Sequence, residues 1–305
     1  MKIGGALFSQ TFINEWTVMM QSLVVALVQA AAEPEFDVER FGARLRNLVK
    51  GVPTAELWVL PEFHLEPRSA HLHPESAARS LDDAKVTALG DLARELEIWL
   101  VPGSIYERGD DGAIHNTALV FSPTGERVAS YRKVFPWRPL EQTKPGNRFE
   151  VFDLAGRGRV GISICYDIWF PEHTRHLAWL GADLVLNLVQ TATADREQEL
   201  AIVRGNAIMN QLWIASVNAA APTGRGRSLI VDPAGAIRAS SPDASEEVLT
   251  AVVDLAATAQ TRTLGTAGVS RPWSQFRDDD VAIPLPLYDG RIDPATWQPR
   301  SKENS

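Results

Sequence analysis

Of the 305 residues only one is cysteine, Cys165. A lone thiol closes no intrachain disulfide and supplies no cysteine-rich metal site, so neither framework holds this chain together. It leaves three roles open: a small buried hydrophobe, a reactive group, or a link between chains. Positive charge is short as well, with 30 Lys+Arg against 38 Asp+Glu and a formal net charge of −8. A general nucleic-acid binder, or a surface held to anionic lipid, needs the opposite balance. No apolar run approaches the ~20 residues of a membrane span. His-Glu-x-x-His and paired-cysteine spacings are missing, so His71 with His73 reads as a surface loop, and Glu172, His173 and His176 as an exposed helix turn; no metal is expected.

A linker rich in Gly, Ser or Pro is also lacking. At about 150 residues per domain the length suits one large domain or two, and without a linker one is preferred. It is expected over residues 21–270, between an N-terminal extension (1–20) and a C-terminal tail (271–305) carrying Asp278-Asp279-Asp280 and scattered prolines. Residues 18–32 resemble the apolar core of an export signal, but Lys2 and Glu15 precede it, and Gln21 and Ser22 interrupt it. The segment reads better as a buried strand, and the expected location is the cytoplasm.

What is present is a strand–helix alternation. Short apolar runs rich in β-formers occupy residues 23–29, 57–60, 98–102, 117–121, 159–164, 183–187, 212–217, 228–231 and 249–254. Helical patterns cover 37–50, 82–97, 171–180 and 196–210. Apolar runs alternating with helices indicate an α/β fold whose sheets are covered. Two stretches, after Phe121 and after Val231, repeat one design of strand, Pro-x-Gly turn and strand, and both read as hairpins. The recurrence fits two related halves and equally a chance match of turn chemistry.

Three reactive residues fall where strands end. Glu62 follows the run 57–60, Lys133 closes the second arm of the first hairpin, and Cys165 ends the run 159–164 shortly before a helix. Sites of open α/β sheets collect at such carboxyl ends. Taken singly, Cys165 reads as packing, and Glu62 and Lys133 as solvated rim; together they are what activated thiol chemistry requires. A serine hydrolase is disfavoured, because Cys165 stands where a Gly-x-Ser-x-Gly elbow needs glycine. Gly224-Arg225-Gly226-Arg227 reads as a turn rather than a phosphate loop.

The ordered set Pro61-Glu62, Tyr131-Arg132-Lys133 and Cys165-Tyr166-Asp167, followed by Phe170-Pro171-Glu172, resembles the nitrilase superfamily of carbon–nitrogen hydrolases over roughly residues 23–254. Pro136, Trp137, Pro139 and Glu141 after the lysine are similar to the aliphatic amidase and formamidase branch, and the stretch 165–172 to amidases and N-carbamoyl amidohydrolases. Nitrile-specific members carry Trp-Glu after the cysteine, so Tyr166-Asp167 speaks against nitrile hydrolysis. The resemblance implies a four-layer αββα sandwich, a homodimer or higher homo-oligomer, a small-molecule amide substrate, and no cofactor. It implies Glu62 as general base, Cys165 as nucleophile, Lys133 and the Tyr166 N–H as oxyanion donors, and Glu141 placing the substrate nitrogen or holding Lys133. Trp137, Tyr166 and Trp169 either line the pocket or pack the core, and Gln190 is expected to touch substrate. The rival readings are an N-carbamoyl amide hydrolase, for which Arg175 is a weak candidate carboxylate holder, and a non-catalytic binding protein.

Overall fold

The computed structural model describes residues 22–285 and 290–292. The expected extension over residues 1–20 lies outside them. The first half runs β1 (Ser22–Gln29), α1 (Val38–Gly51), β2 (Leu57–Val59), a single-turn α2 (Pro74–Ala77), α3 (Ala84–Leu96), β3 (Trp99–Val101), β4 (Ser104–Arg108), β5 (Ile114–Phe121) and β6 (Arg127–Arg132). The second runs β7 (Val151–Asp153), β8 (Arg159–Ile164), α4 (Pro171–Trp179), β9 (Leu184–Val189), α5 (Arg196–Asn210), β10 (Trp213–Asn218), β11 (Leu229–Val231) and β12 (Ile237–Ser240). Strand β13 (Glu247–Asp254) and helix α6 (Ala256–Leu264) follow.

The strands form two mixed sheets, one in the order β13-β1-β2-β3-β5-β4 with β6 on the far side of β5, the other β12-β11-β10-β9-β8-β7. Side chains alternate across a strand, and that parity builds the layers. Val25, Leu27, Leu57 and Val59 face inward onto Ile162, Ile164, Leu186 and Val217 of the second sheet. Their neighbours Ala26, Val28, Trp58 and Leu60 face outward, under Phe41 and Leu45 of α1 and Val86 and Leu89 of α3. Val185 and Ile214 pack under Leu177 of α4 and Val203 and Ala207 of α5. Both faces of the central strands are covered, which is why those strands read as unbroken apolar runs, while the edge strands β12 and β13 stay partly exposed. The result is the αββα sandwich.

The two halves share a topology. In each, three parallel strands are joined by helices, β1-β2-β3 and β8-β9-β10. Each set is followed by an antiparallel hairpin, β5–β6 or β11–β12. The turn glycines of both hairpins, Gly125 and Gly235, have φ +84. Of the two explanations for the repeated turn, related halves is the one this topology favours.

Two expectations need correction. The segment beyond residue 271, expected as a tail, begins packed: a turn at Pro272–Ser274 seats Trp273, whose Nε1 donates to the Asn210 carbonyl at 3.0 Å. His173 is not on an exposed turn. It lies on the α4 face that carries Leu177 one turn later, is fully buried, and sits 2.8 Å from the Tyr131 hydroxyl. Among the described residues, no helix is long and apolar enough to cross a membrane.

Candidate active site

The three strand ends that the sequence singles out meet at one end of the sandwich. Glu62 follows β2, Lys133 follows β6, and Cys165 follows β8 at the start of a 3-10 turn, Cys165–Trp169. Cys165 has φ +48, a left-handed conformation that costs an L-residue roughly 1–2 kcal/mol. The sharp elbow turns the thiol off the strand axis, beside a helical start whose first N–H groups lack intrahelical partners.

Lys133 is the hub. Its Nζ donates to Glu62 Oε1 at 2.9 Å and to Glu141 Oε2 at 2.6 Å. An ammonium has three N–H bonds, so among the described residues one stays uncommitted. Asn116 ties the same two carboxylates from below, its Nδ2 donating to Glu62 Oε1 at 2.8 Å and Glu141 Oε1 at 3.0 Å. Glu141 also accepts from Thr143 Oγ1 at 3.0 Å and from the Trp137 backbone N–H at 3.1 Å. The loop carrying it closes back on β6 at Gly146, whose N–H donates to the Lys133 carbonyl at 2.8 Å. A Cβ on Gly146 would stand 2.3 Å from the Arg132 carbonyl oxygen, so only glycine permits this return.

The two glutamates are therefore not equivalent. Donors hold both oxygens of Glu141. Burial raises its pKa, yet the Lys133 charge and these bonds bring it below the ordinary carboxylate value. Glu62 receives both of its bonds on Oε1, and among the described residues Oε2 has no donor. Lys133 is only 2% exposed. Burial works against its charge, but Glu62 and Glu141 outweigh that and hold the ammonium protonated well above its usual range. The Cys165 thiol goes the other way from a nucleophile poised as thiolate. Burial first, then the charges of Glu62 and Glu199, push its pKa well up, against the opposing pull of Lys133 and the Gln190 backbone N–H. This thiol needs a base.

Asp167 staples the elbow to the lysine strand. Its Oδ2 accepts from the Ile164 N–H at 2.9 Å and the Tyr131 hydroxyl at 2.8 Å, and its Oδ1 from the Phe135 N–H at 2.9 Å. Burial lifts its carboxyl to about 7, with the Lys133 charge and these donors resisting.

Other expected residues divide. Gln190 is at the centre: its backbone N–H faces the Cys165 sulfur, and its side chain donates to the Glu62 carbonyl at 3.4 Å. Tyr166 and Trp169 are partly exposed beside the elbow, with ring centroids 5.9 Å apart. Trp137 reaches the site through its backbone, while its ring is 37% exposed. Arg175 is elsewhere, its guanidinium 4.8 Å over the Trp273 ring and bonded to the Met209 carbonyl. Asn116, Thr191 and Glu199 belong to the site without having been expected from the sequence. Asn116 leaves a signal there, as one of three consecutive polar residues (His115, Asn116, Thr117) in an otherwise apolar strand.

A family model for carbon-nitrogen hydrolases matches residues 24–263, and the chain belongs to that family. Among curated relatives it is 30% identical over 199 residues to the formamidase of Bacillus thuringiensis (strain Al Hakam), covering 64% of this chain and 60% of the relative. The match thus spans less than two thirds of that relative's length. Among solved structures, Saccharomyces cerevisiae Nit3, a member of branch 10 of the nitrilase superfamily, superposes with TM-score 0.72 at 26% identity, covering 80% of this chain and 94% of that one. A glutamate-to-glutamine mutant of the amidase from Nesterenkonia sp. AN1, with the acetamide moiety of fluoroacetamide added covalently at its active-site cysteine, gives TM-score 0.67 at 26% identity, covering 79% of this chain and 93% of that one.

Proposed function

We propose that this protein hydrolyses linear amides to a carboxylic acid and ammonia, or an amine, through a thioester on Cys165. The observation that carries the reading is the Lys133 hub, with two N–H bonds held by Glu62 and Glu141 and a third left for a substrate oxygen. Glu62 Oε2 takes the thiol proton as the sulfur attacks the carbonyl carbon. The electron pair moved onto oxygen is held by Lys133 and by an N–H of the elbow, donors fixed before the reaction begins. The C–N bond breaks, and the proton on Glu62 goes to the leaving nitrogen. Glu62 then deprotonates a water, whose oxygen displaces the sulfur; the acid leaves and the thiol is restored. Glu141, tied down by four donors, holds Lys133 in place.

The N-carbamoyl alternative loses its candidate carboxylate holder, since Arg175 packs on Trp273. A homo-oligomer belongs to the same proposal, supported by exposed apolar side chains on α4 and α5, with Trp179 74%, Ile208 48% and Met209 51% exposed. Ammonia release measured across short amides, aryl amides, carbamoyl compounds and nitriles tests the substrate class. Turnover of amides without nitriles is expected; nitriles turned over faster than every amide would overturn it.

Lys133→Met is expected to lower turnover by ~10²–10³, the usual effect of losing one oxyanion donor. It also strands two buried carboxylates, at a stability cost of about 3–5 kcal/mol. Steady-state kinetics and a melting curve check both, and near-wild-type turnover would remove Lys133 from the mechanism.

A further inference from the structure

Glu62, Lys133 and Glu141 form one linked cluster around the nucleophile. A second chain of buried groups, not linked to that cluster by any hydrogen bond among the described residues, also ends at the thiol, and the mechanism above gives it no task. Cys165 Sγ lies 3.7 Å from Thr191 Oγ1, and Thr191 Oγ1 donates to Glu199 Oε1 at 2.9 Å. Trp169 Nε1 reaches the same oxygen at 3.5 Å, while Glu199 Oε2 accepts from Arg196 Nη1 at 3.0 Å. The rest of the guanidinium is anchored to backbone, Nε to the Gly226 carbonyl at 3.2 Å and Nη2 to the Arg227 carbonyl at 2.9 Å. Thr191, Glu199 and Arg196 are 6%, 2% and 1% exposed. A buried ion pair of this kind is poor evidence of a stabilising role, because an apolar replacement is often no worse.

The direction of each bond follows from proton counting. A carboxylate only accepts, and a hydroxyl has a single proton. Thr191 spends that proton on Glu199, so toward the sulfur its oxygen can act only as acceptor. A hydrogen bond between the two in the resting enzyme therefore runs from the S–H to the Thr191 oxygen. We propose that Glu199 is a positioning residue for the nucleophile: through Thr191 it fixes the direction of the Cys165 S–H bond and keeps the resting thiol neutral until an amide is bound. The charged groups that act on the thiol include Glu62, Glu199 and Lys133 and, behind Glu199, Arg196; the two cations favour thiolate, while the Glu199 charge raises the thiol pKa, in the same direction as the hydrogen bond. A neutral thiol resists oxidants and electrophiles that consume a thiolate. The proposal rests on Cys165 being the nucleophile.

Alkylation of the whole protein by iodoacetamide, followed against pH, tests it without requiring turnover, and the chain has no second cysteine to confuse the rate. In Glu199→Gln, Arg196 still demands an acceptor, so the amide oxygen turns to Arg196 and the NH2 group to Thr191. The Thr191 hydroxyl then accepts from the amide and donates to sulfur, which favours thiolate. The expected profile moves down by about one pH unit, making alkylation about tenfold faster at pH 7. Thr191→Ser restores the hydroxyl and the wild-type profile, and in a Thr191→Val background Glu199→Gln adds little. A Glu199→Gln profile that superimposes on wild type overturns the proposal. So does a shift of undiminished size in the Thr191→Val background, which would assign the effect to charge alone. Should Glu199→Gln fail to fold, Thr191→Val by itself is expected to speed alkylation at pH 7, and an unchanged or slower rate overturns the proposal. A shifted profile with no amide turned over would count against the hydrolase reading and not against this one.

Discussion

Cys165→Ala is expected to release no ammonia from any amide above the uncatalysed background while folding normally. The chain holds no second thiol to take over. The Thr191 hydroxyl, 3.7 Å from the sulfur, has its proton committed to Glu199, a carboxylate that is itself held in a buried ion pair with Arg196. Cys165→Ser is expected to be just as inactive. Burial and the charges of Glu62 and Glu199 already push a thiol well up, and an alcohol starts from a far higher pKa. Folding is spared because Cys165 sits at the margin of the inner core, where losing one sulfur atom removes little packing, and alanine keeps the same left-handed backbone at φ +48. Cys165→Gly, relieved of roughly 1–2 kcal/mol of that strain, is expected to melt no lower than the alanine variant and to be equally dead. Residual turnover in any of the three would remove the thiol from the chemistry.

Glu62→Gln comes next in size. The amide keeps the carboxylate's shape, and its oxygen still accepts from Lys133 and Asn116, so the hub survives. What disappears is the basic second oxygen. Losing a general base lowers turnover by ~10²–10⁴, and the effect falls on both half-reactions, because the same group deprotonates the thiol and later the water. Glu141 is no substitute: four donors occupy it and its carboxyl is held below the ordinary value. Glu141→Gln should therefore cost less than Glu62→Gln in single-turnover acylation. The reverse ranking would assign the base to Glu141 and contradict this division of roles.

Much of this site is legible in the amino-acid sequence. Unbroken apolar runs ending in one reactive residue mark Glu62 and Cys165 as strand-end groups, and the hairpin turn chemistry carries Lys133 to the same level. Their burial is not legible, since a lone Glu or Lys past a strand reads as solvated rim until its partner is known. Asn116 finds Glu62 across 54 positions of sequence, a pairing that only the sheet brings about. Glu199 looks like an ordinary polar residue of an amphipathic helix; its turn toward Thr191 depends on how α5 seats on the second sheet. Strands β4 and β7 are too short, or too polar, to register as a period. Trp273 is lost among prolines and acids whose composition says tail, because nothing local records that Asn210 waits for its indole.

The most direct test of the thioester mechanism is the intact mass of the protein, acid-quenched during turnover of a short amide, with the modified peptide then sequenced. The expected result is a mass increase equal to the substrate's acyl group, carried on Cys165, labile to hydroxylamine as a thioester, and missing in Cys165→Ala. Ammonia released at full rate with Cys165 unmodified at every quench time, or an acyl group found on another residue, would contradict it.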